Sequence, residues 1–312
     1  MTNATLELIA DYACHTGEGP LWHPEHRALY WCDIPNGRLF RYYPADHFHE
    51  CCWEDTSRPL GGYTIQKDGT LLLFRDQANV VVWSEAEIVS TVIAEIPELI
   101  PTRFNDVVAD PEGRVYCGSI STDNISGRLY RLDRDGSIHV LLTDQGTPNG
   151  MGFSPDLKTM YYNDSRRAKT WAFTYDRRTG ALSNQRLFRD ADARNDPGRP
   201  DGLTVDAAGY IWTARWEGAS ILRFAPDGSL DAQFDVPQAR NVSSLAFAPR
   251  FNHTTGQWSS QLIDLYITTA GLDNRKTTGA QGGALFRMRF ANDPYRGQTE
   301  HRSGIVPATN EI

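Results

Sequence analysis

Four oxygen-bearing side chains recur at one depth of a repeating pattern: Glu18, Asn105, Asn149 and Asp201. Each lies six residues before the anchor of a tight-turn signal. The six anchors are Pro24, Lys67, Pro111, Pro155, Ala207 and Pro249, and counting back from every one gives Glu18, Gly61, Asn105, Asn149, Asp201 and Ser243. Two carboxylates and an amide oxygen, without Cys or His, suit a hard divalent ion such as calcium, magnesium or manganese. Zinc also accepts carboxylate oxygens and stays in that set. Three protein ligands, Glu18, Asn149 and Asp201, leave positions for water and substrate, which is the arrangement of a catalytic metal. Asn149-Gly150 and Asp201-Gly202 are also common turn dipeptides. Their shared register with Glu18-Gly19, ahead of an apolar strand rather than between hairpin arms, favours the functional reading.

The elements that must position these residues are short strands. Gly19–His23, Ala28–Asp33, Arg38–Tyr43 and a segment near His49–Trp53 read as four antiparallel strands separated by turn signals. The same grammar recurs at intervals of 43, 44, 44, 52 and 42 residues, the length of a β-propeller blade. The expected fold is all-β, a six-bladed propeller of four-stranded antiparallel blades. First strands begin near residues 18, 61, 105, 149, 201 and 243, and equivalent positions converge on one axis. Residues 1–312 read as a single domain, with Leu6–Cys14 as the outer strand of the last blade, closing the ring. Asp190–Pro200 reads as a polar loop. Ser119–Gly127 and Gly271–Gly282 are candidate lids between second and third strands.

Composition narrows the function. The formal charge is −8 across 312 residues, with no basic stripe, which argues against nucleic acid or an anionic membrane as partner. No apolar run reaches the length of a membrane helix. Met1–Asp11 lacks a basic region and a long apolar core, so no secretory signal is read there. Five cysteines without a C-x-x-C pair fit reduced thiols in a cytoplasmic protein, expected as a monomer or weak homo-oligomer.

Four motifs in order carry a family resemblance: Glu18-Gly19-Pro20-Leu21-Trp22, Arg103-Phe104-Asn105-Asp106, Pro148-Asn149-Gly150-Met151 and Arg199-Pro200-Asp201-Gly202-Leu203. They resemble those of the senescence marker protein/gluconolactonase family, also called regucalcin-like, over almost the whole chain. The resemblance implies one divalent ion on the axis and hydrolysis of a sugar lactone. It carries the metal ligands onto Glu18, Asn149 and Asp201, and substrate contacts onto Arg103 and Asn105. It also points to Asp123, since family members can place an acidic sugar-binding residue in that loop, although the loop differs in composition here. A bound ion suits such chemistry because it polarises the lactone carbonyl. Asp201 is the candidate general base. A hydroxide carried by the ion is the alternative base.

Other residues read as structural. Asp106 is expected to point away from the axial row. Asp33 and Asp164 are expected to stabilise turns, and Trp216 to pack between blades. No Gly-x-Ser-x-Gly elbow and no His-Glu-x-x-His helix occurs. Two readings compete with the lactonase: an esterase or phosphotriesterase on the same scaffold, and a propeller that binds metal without catalysis.

Overall fold

The computed structural model describes residues 4–85 and 87–306. Among these residues, twenty-four strands form six four-stranded sheets, five of them consecutive antiparallel meanders. The sheets are arranged as a six-bladed β-propeller. The six inner strands are Gly17–His23, Leu60–Ile65, Phe104–Ala109, Pro148–Phe153, Arg199–Val205 and Asn241–Asn252. In the sixth sheet the outer strand is Ala4–Asp11, which pairs antiparallel with Ala284–Phe290.

The inner strands are rich in small residues because neighbours crowd around the axis. A Cβ on Gly61 would sit 2.1 Å from the Phe104 carbonyl oxygen. One on Gly150 would sit 2.2 Å from the Leu203 amide nitrogen, and one on Gly202 would sit 2.2 Å from Ser244 Oγ. Leu60–Ile65 and Pro148–Phe153 are buried along their whole length, whereas the outer strand Phe48–Glu54 is half-exposed. Apolar cores lie between adjacent sheets. In one of them Trp212 stacks on Phe234 at 5.4 Å and meets Phe247 and Phe290 edge-on or tilted.

Turn acids hold the register. Asp110 Oδ1 accepts from the backbone N–H of Glu112 and Arg114, and Asp206 Oδ1 does the same for Ala208 and Tyr210. At the opposite end of the sheets, Asp33 accepts from the N–H of His15 and Thr16, and Asp164 from Gly146 and Thr147. Both therefore pin the segment that leads into an inner strand, as their expected structural role requires.

Two features differ from the sequence reading. The polar stretch after Asp190 is not wholly a loop. Ala191–Arg194 forms one helical turn, and the Asp190 side chain caps it by accepting from the Ala193 N–H. Gly271–Gly282 likewise contains a helical turn, Arg275–Thr278.

The second feature is a strap. After the last strand, residues 291–306 cross the face of the propeller where the inner strands end. Gly297 N–H donates to the Leu262 carbonyl, and Ala207 N–H to that of Arg296. The Gln298 side chain donates to the carbonyls of Phe153 and Val205 at 3.2 and 3.1 Å. Ser303 N–H donates to the Ile65 carbonyl, and Gly304 N–H to that of Gly113. Arg302 pairs with Glu25 at 2.5 Å. These contacts reach all six sheets.

Candidate active site

Each inner strand begins with an irregularity. Partners run Glu18 with Cys32, then Leu21 with Tyr30; Phe104 with Ser119, then Val107 with Cys117. They run Pro148 with Asp164, then Met151 with Tyr162; Pro200 with Arg215, then Leu203 with Thr213. Three residues on the inner strand span two on its neighbour, so each strand carries one extra residue there. Such a bulge breaks the alternation of faces. Consecutive side chains then turn toward the axis, just where the candidate residues stand.

Glu18, Asn105, Asn149 and Asp201 are all buried and line one cavity of about 750 Å³ that opens opposite the strap. That volume lies within the usual range for a small-molecule site. Arg103 lines the same cavity. Its guanidinium donates to Asn105 Oδ1 at 2.9 Å and to the Phe104 carbonyl at 2.8 Å. Asn105 Nδ2 donates to the Pro148 carbonyl at 2.8 Å, tying one inner strand to the next. Asn149 Nδ2 donates to Asp201 Oδ1 and, at 3.1 Å, to Ser165 Oγ. Behind Asp201, Asn163 Nδ2 donates to its backbone carbonyl at 2.7 Å, and Thr170 Oγ1 donates to Asn163 Oδ1. Tyr63 OH holds the Gly19 carbonyl at 2.6 Å.

The remaining two equivalent positions carry no axial donor. Gly61 abuts Phe104, and Ser243 Oγ donates to the Gly17 carbonyl at 2.5 Å. Asp123 is exposed on its loop, outside the residues lining the cavity. Trp216, expected to pack between blades, lines the cavity.

Asp106 overturns its expected orientation. It faces the axis beside Asn105, in a narrow chamber of about 70 Å³ directly below the main cavity. The bulge at Phe104–Val107 turns both side chains inward. Asp106 Oδ1 accepts from the Val107 N–H, and burial raises its pKa to about 6. The strap supplies a further acid to the same chamber, Glu300, raised to about 7 by burial and then by the Asp106 charge. No signal short of a bulge prediction would have turned Asp106 inward, and nothing in the pattern of strands marks Glu300.

The axial group concentrates buried negative charge. Burial pushes the Glu18 carboxyl well above its ordinary range, and the charges of Asp201 and Asp106 push it further. Burial and Asp106 do the same to Asp201. Among the described residues neither acid forms a direct ion pair with Lys or Arg. Arg103 offsets the two charges only in part, and a divalent ion would relieve the rest. No group of three or more His, Cys, Asp or Glu with metal-site spacing occurs among the described residues. The donor set is instead two carboxylates and the Asn149 amide, which fits a hard cation with open positions. Arg103 is itself pulled down to about 10 by burial, and Glu18 is the main influence opposing that fall.

Residues 16–271 match the family model described as "SMP-30/Gluconolactonase/LRE-like region". The chain belongs to this family. It is 40% identical over 310 residues to pentonolactonase XacC of Haloferax volcanii, covering 96% of this chain and 99% of that protein. It is 29% identical to a 6-deoxy-6-sulfogluconolactonase of Pseudomonas putida over 86% of this chain and 88% of that one. Among solved structures, a luciferin-regenerating enzyme superposes with a TM-score of 0.84 at 25% identity, covering 97% of this family member and 100% of that chain.

Proposed function

We propose that this family member is a divalent-metal-dependent sugar lactonase, opening an aldonolactone to the sugar acid. The observation that carries the reading is the meeting of Glu18, Asn149 and Asp201 on the floor of one cavity, with Arg103 and Asn105 beside them. Relatives named as lactonases support the substrate class.

Glu18, Asn149 and Asp201 would hold the ion. Bound there, calcium, zinc, manganese or magnesium would supply Lewis-acid polarisation of the lactone carbonyl. Asp201 takes the proton from the attacking water as its oxygen bonds to the carbonyl carbon. Collapse of the tetrahedral species breaks the ring C–O bond, and the proton passes to the departing alkoxide. Burial keeps Asp201 beside the reacting carbonyl, and Asn163 fixes its backbone. Arg103, already oriented by Asn105, offers its remaining N–H groups to sugar hydroxyls or to the nascent carboxylate. Asp123 stands ready as a sugar contact only if its loop moves toward the cavity.

The test is hydrolysis of a panel of lactones and phosphotriesters, with and without a chelator. Lactone opening that chelation abolishes and added ion restores supports the reading. Turnover of phosphotriesters alone, or lactone opening untouched by a thorough chelation, overturns it.

A further inference from the structure

Arg166 and Arg199 are exposed at the edge of the main cavity and line it. Neither belongs to any ion pair among the described residues. The contrast with the adjacent arginine is direct: Arg167 pairs with Asp144 at 3.3 Å and with Asp164 at 3.7 Å. Arg166 Nη1 donates to Ser121 Oγ at 3.0 Å. Arg199 Nη1 donates to the carbonyls of Ser165 and Arg166, at 3.4 and 3.1 Å. The protein therefore anchors both guanidiniums through one nitrogen each. Their Nε and Nη2 groups have no protein partner among the described residues.

The anchoring also joins the two cations. Arg199 is bonded to the backbone of Arg166, so both charges originate at the same edge of the opening. Like charges held together repel, and an anion between them relieves the repulsion. A chain with a formal charge of −8 has acids to spare, yet among the described residues none pairs with either guanidinium. A guanidinium with a free fork of donors is suited to carboxylate or phosphate oxygens.

Position fixes where on a substrate that anion would lie. Arg199 precedes Asp201 by two residues along one inner strand, a separation on the order of 7 Å. The anion is thus held away from the lactone carbonyl, toward the far end of the sugar. We propose that Arg166 and Arg199 form an anion-binding subsite, and that the preferred substrate is a sugar lactone bearing an oxyanion at the end distant from its carbonyl. This rests on the lactonase reading above and extends it to the substrate's charge.

The experiment compares three lactones with the metal-loaded protein. Glucono-1,5-lactone is neutral, glucaro-1,4-lactone carries a carboxylate, and 6-phosphoglucono-1,5-lactone carries a phosphate. At least one charged lactone should exceed the neutral one in kcat/KM by about tenfold or more, the range of charge-assisted hydrogen bonds. Which of the two is favoured identifies the anion. In the double variant Arg166→Gln, Arg199→Gln that preference should collapse toward one, through a higher KM for the charged lactone. Arg166→Lys with Arg199→Lys, which keeps the charges but not the forks, should keep only part of it. A wild-type protein with no preference for either charged lactone overturns the subsite, as does a double variant that keeps the preference. Failure to open any of the three, or any pentonolactone in the wider panel, overturns the lactonase reading instead. In that case, equal binding of glucarate and gluconate by calorimetry overturns the subsite independently.

Discussion

Asp201 holds two duties in the proposed site, ligand and base, and a single substitution separates them. Asp201→Asn keeps an oxygen donor but removes the proton acceptor and one charge. Its kcat should fall by at least about a hundredfold, and saturating ion should not restore it. Near wild-type turnover at saturating ion would show that Asp201 is a ligand alone. Glu18→Gln should leave the fold intact while weakening ion binding by at least tenfold, about 1.4 kcal/mol, read by calorimetry, because one of two carboxylate charges is lost. Arg103→Ala should raise KM more than it lowers kcat, since Arg103 mainly binds substrate. The positions of Glu18, Asn105, Asn149 and Asp201 were legible in sequence because all four stand at a fixed distance from a turn. Asp106 was misread because alternation of faces was assumed where the strand bulges.

At the scale of elements, the site depends on how closely neighbouring inner strands approach. Gly150 is the test. An added Cβ would meet the Leu203 amide nitrogen at 2.2 Å and the Asp201 carbonyl at 2.6 Å, both backbone atoms that cannot swing aside. Gly150→Ala should cost about 1–3 kcal/mol in denaturant unfolding, the range for overpacked interiors. It should also weaken ion binding, because the strand it displaces carries Asp201. Unchanged stability would show that the strands separate freely. Strand order and strand boundaries were readable because aromatic and β-branched runs alternate with turn residues. The single helical turn Ala191–Arg194 was not, since four residues are too few to show a period. Its cap, Asp190, was the one local signal, and it was read as part of a polar loop.

Across the whole molecule, the strap ties sheets together that share no strand, and it places Glu300 in the axial chamber. Glu300 has a folded pKa of about 7 against an ordinary value of 4.5, so the native state holds its proton more tightly than the unfolded chain. Stability from this group is complete below about pH 4.5 and is lost as the pH rises toward 7. Glu300→Gln should therefore raise the melting temperature at pH 8, by about 2 °C because the side chain is half-buried, and change it little at pH 4.5. Thermal unfolding at the two pH values, with chelator present throughout, checks this; an equal shift at both would contradict it. The strap was invisible in sequence because residues 291–306 show no strand alternation and their partners are spread over the whole chain. Its presence makes the axial channel a blind alley. Lactone and acid, both too large for the chamber beside the strap, must share one doorway, so each departing acid has to back out before the next lactone can approach. Accumulated acid would then obstruct the newcomer at the threshold, and the pace of a nearly finished reaction would be set by traffic at that door rather than by the breaking of the ring.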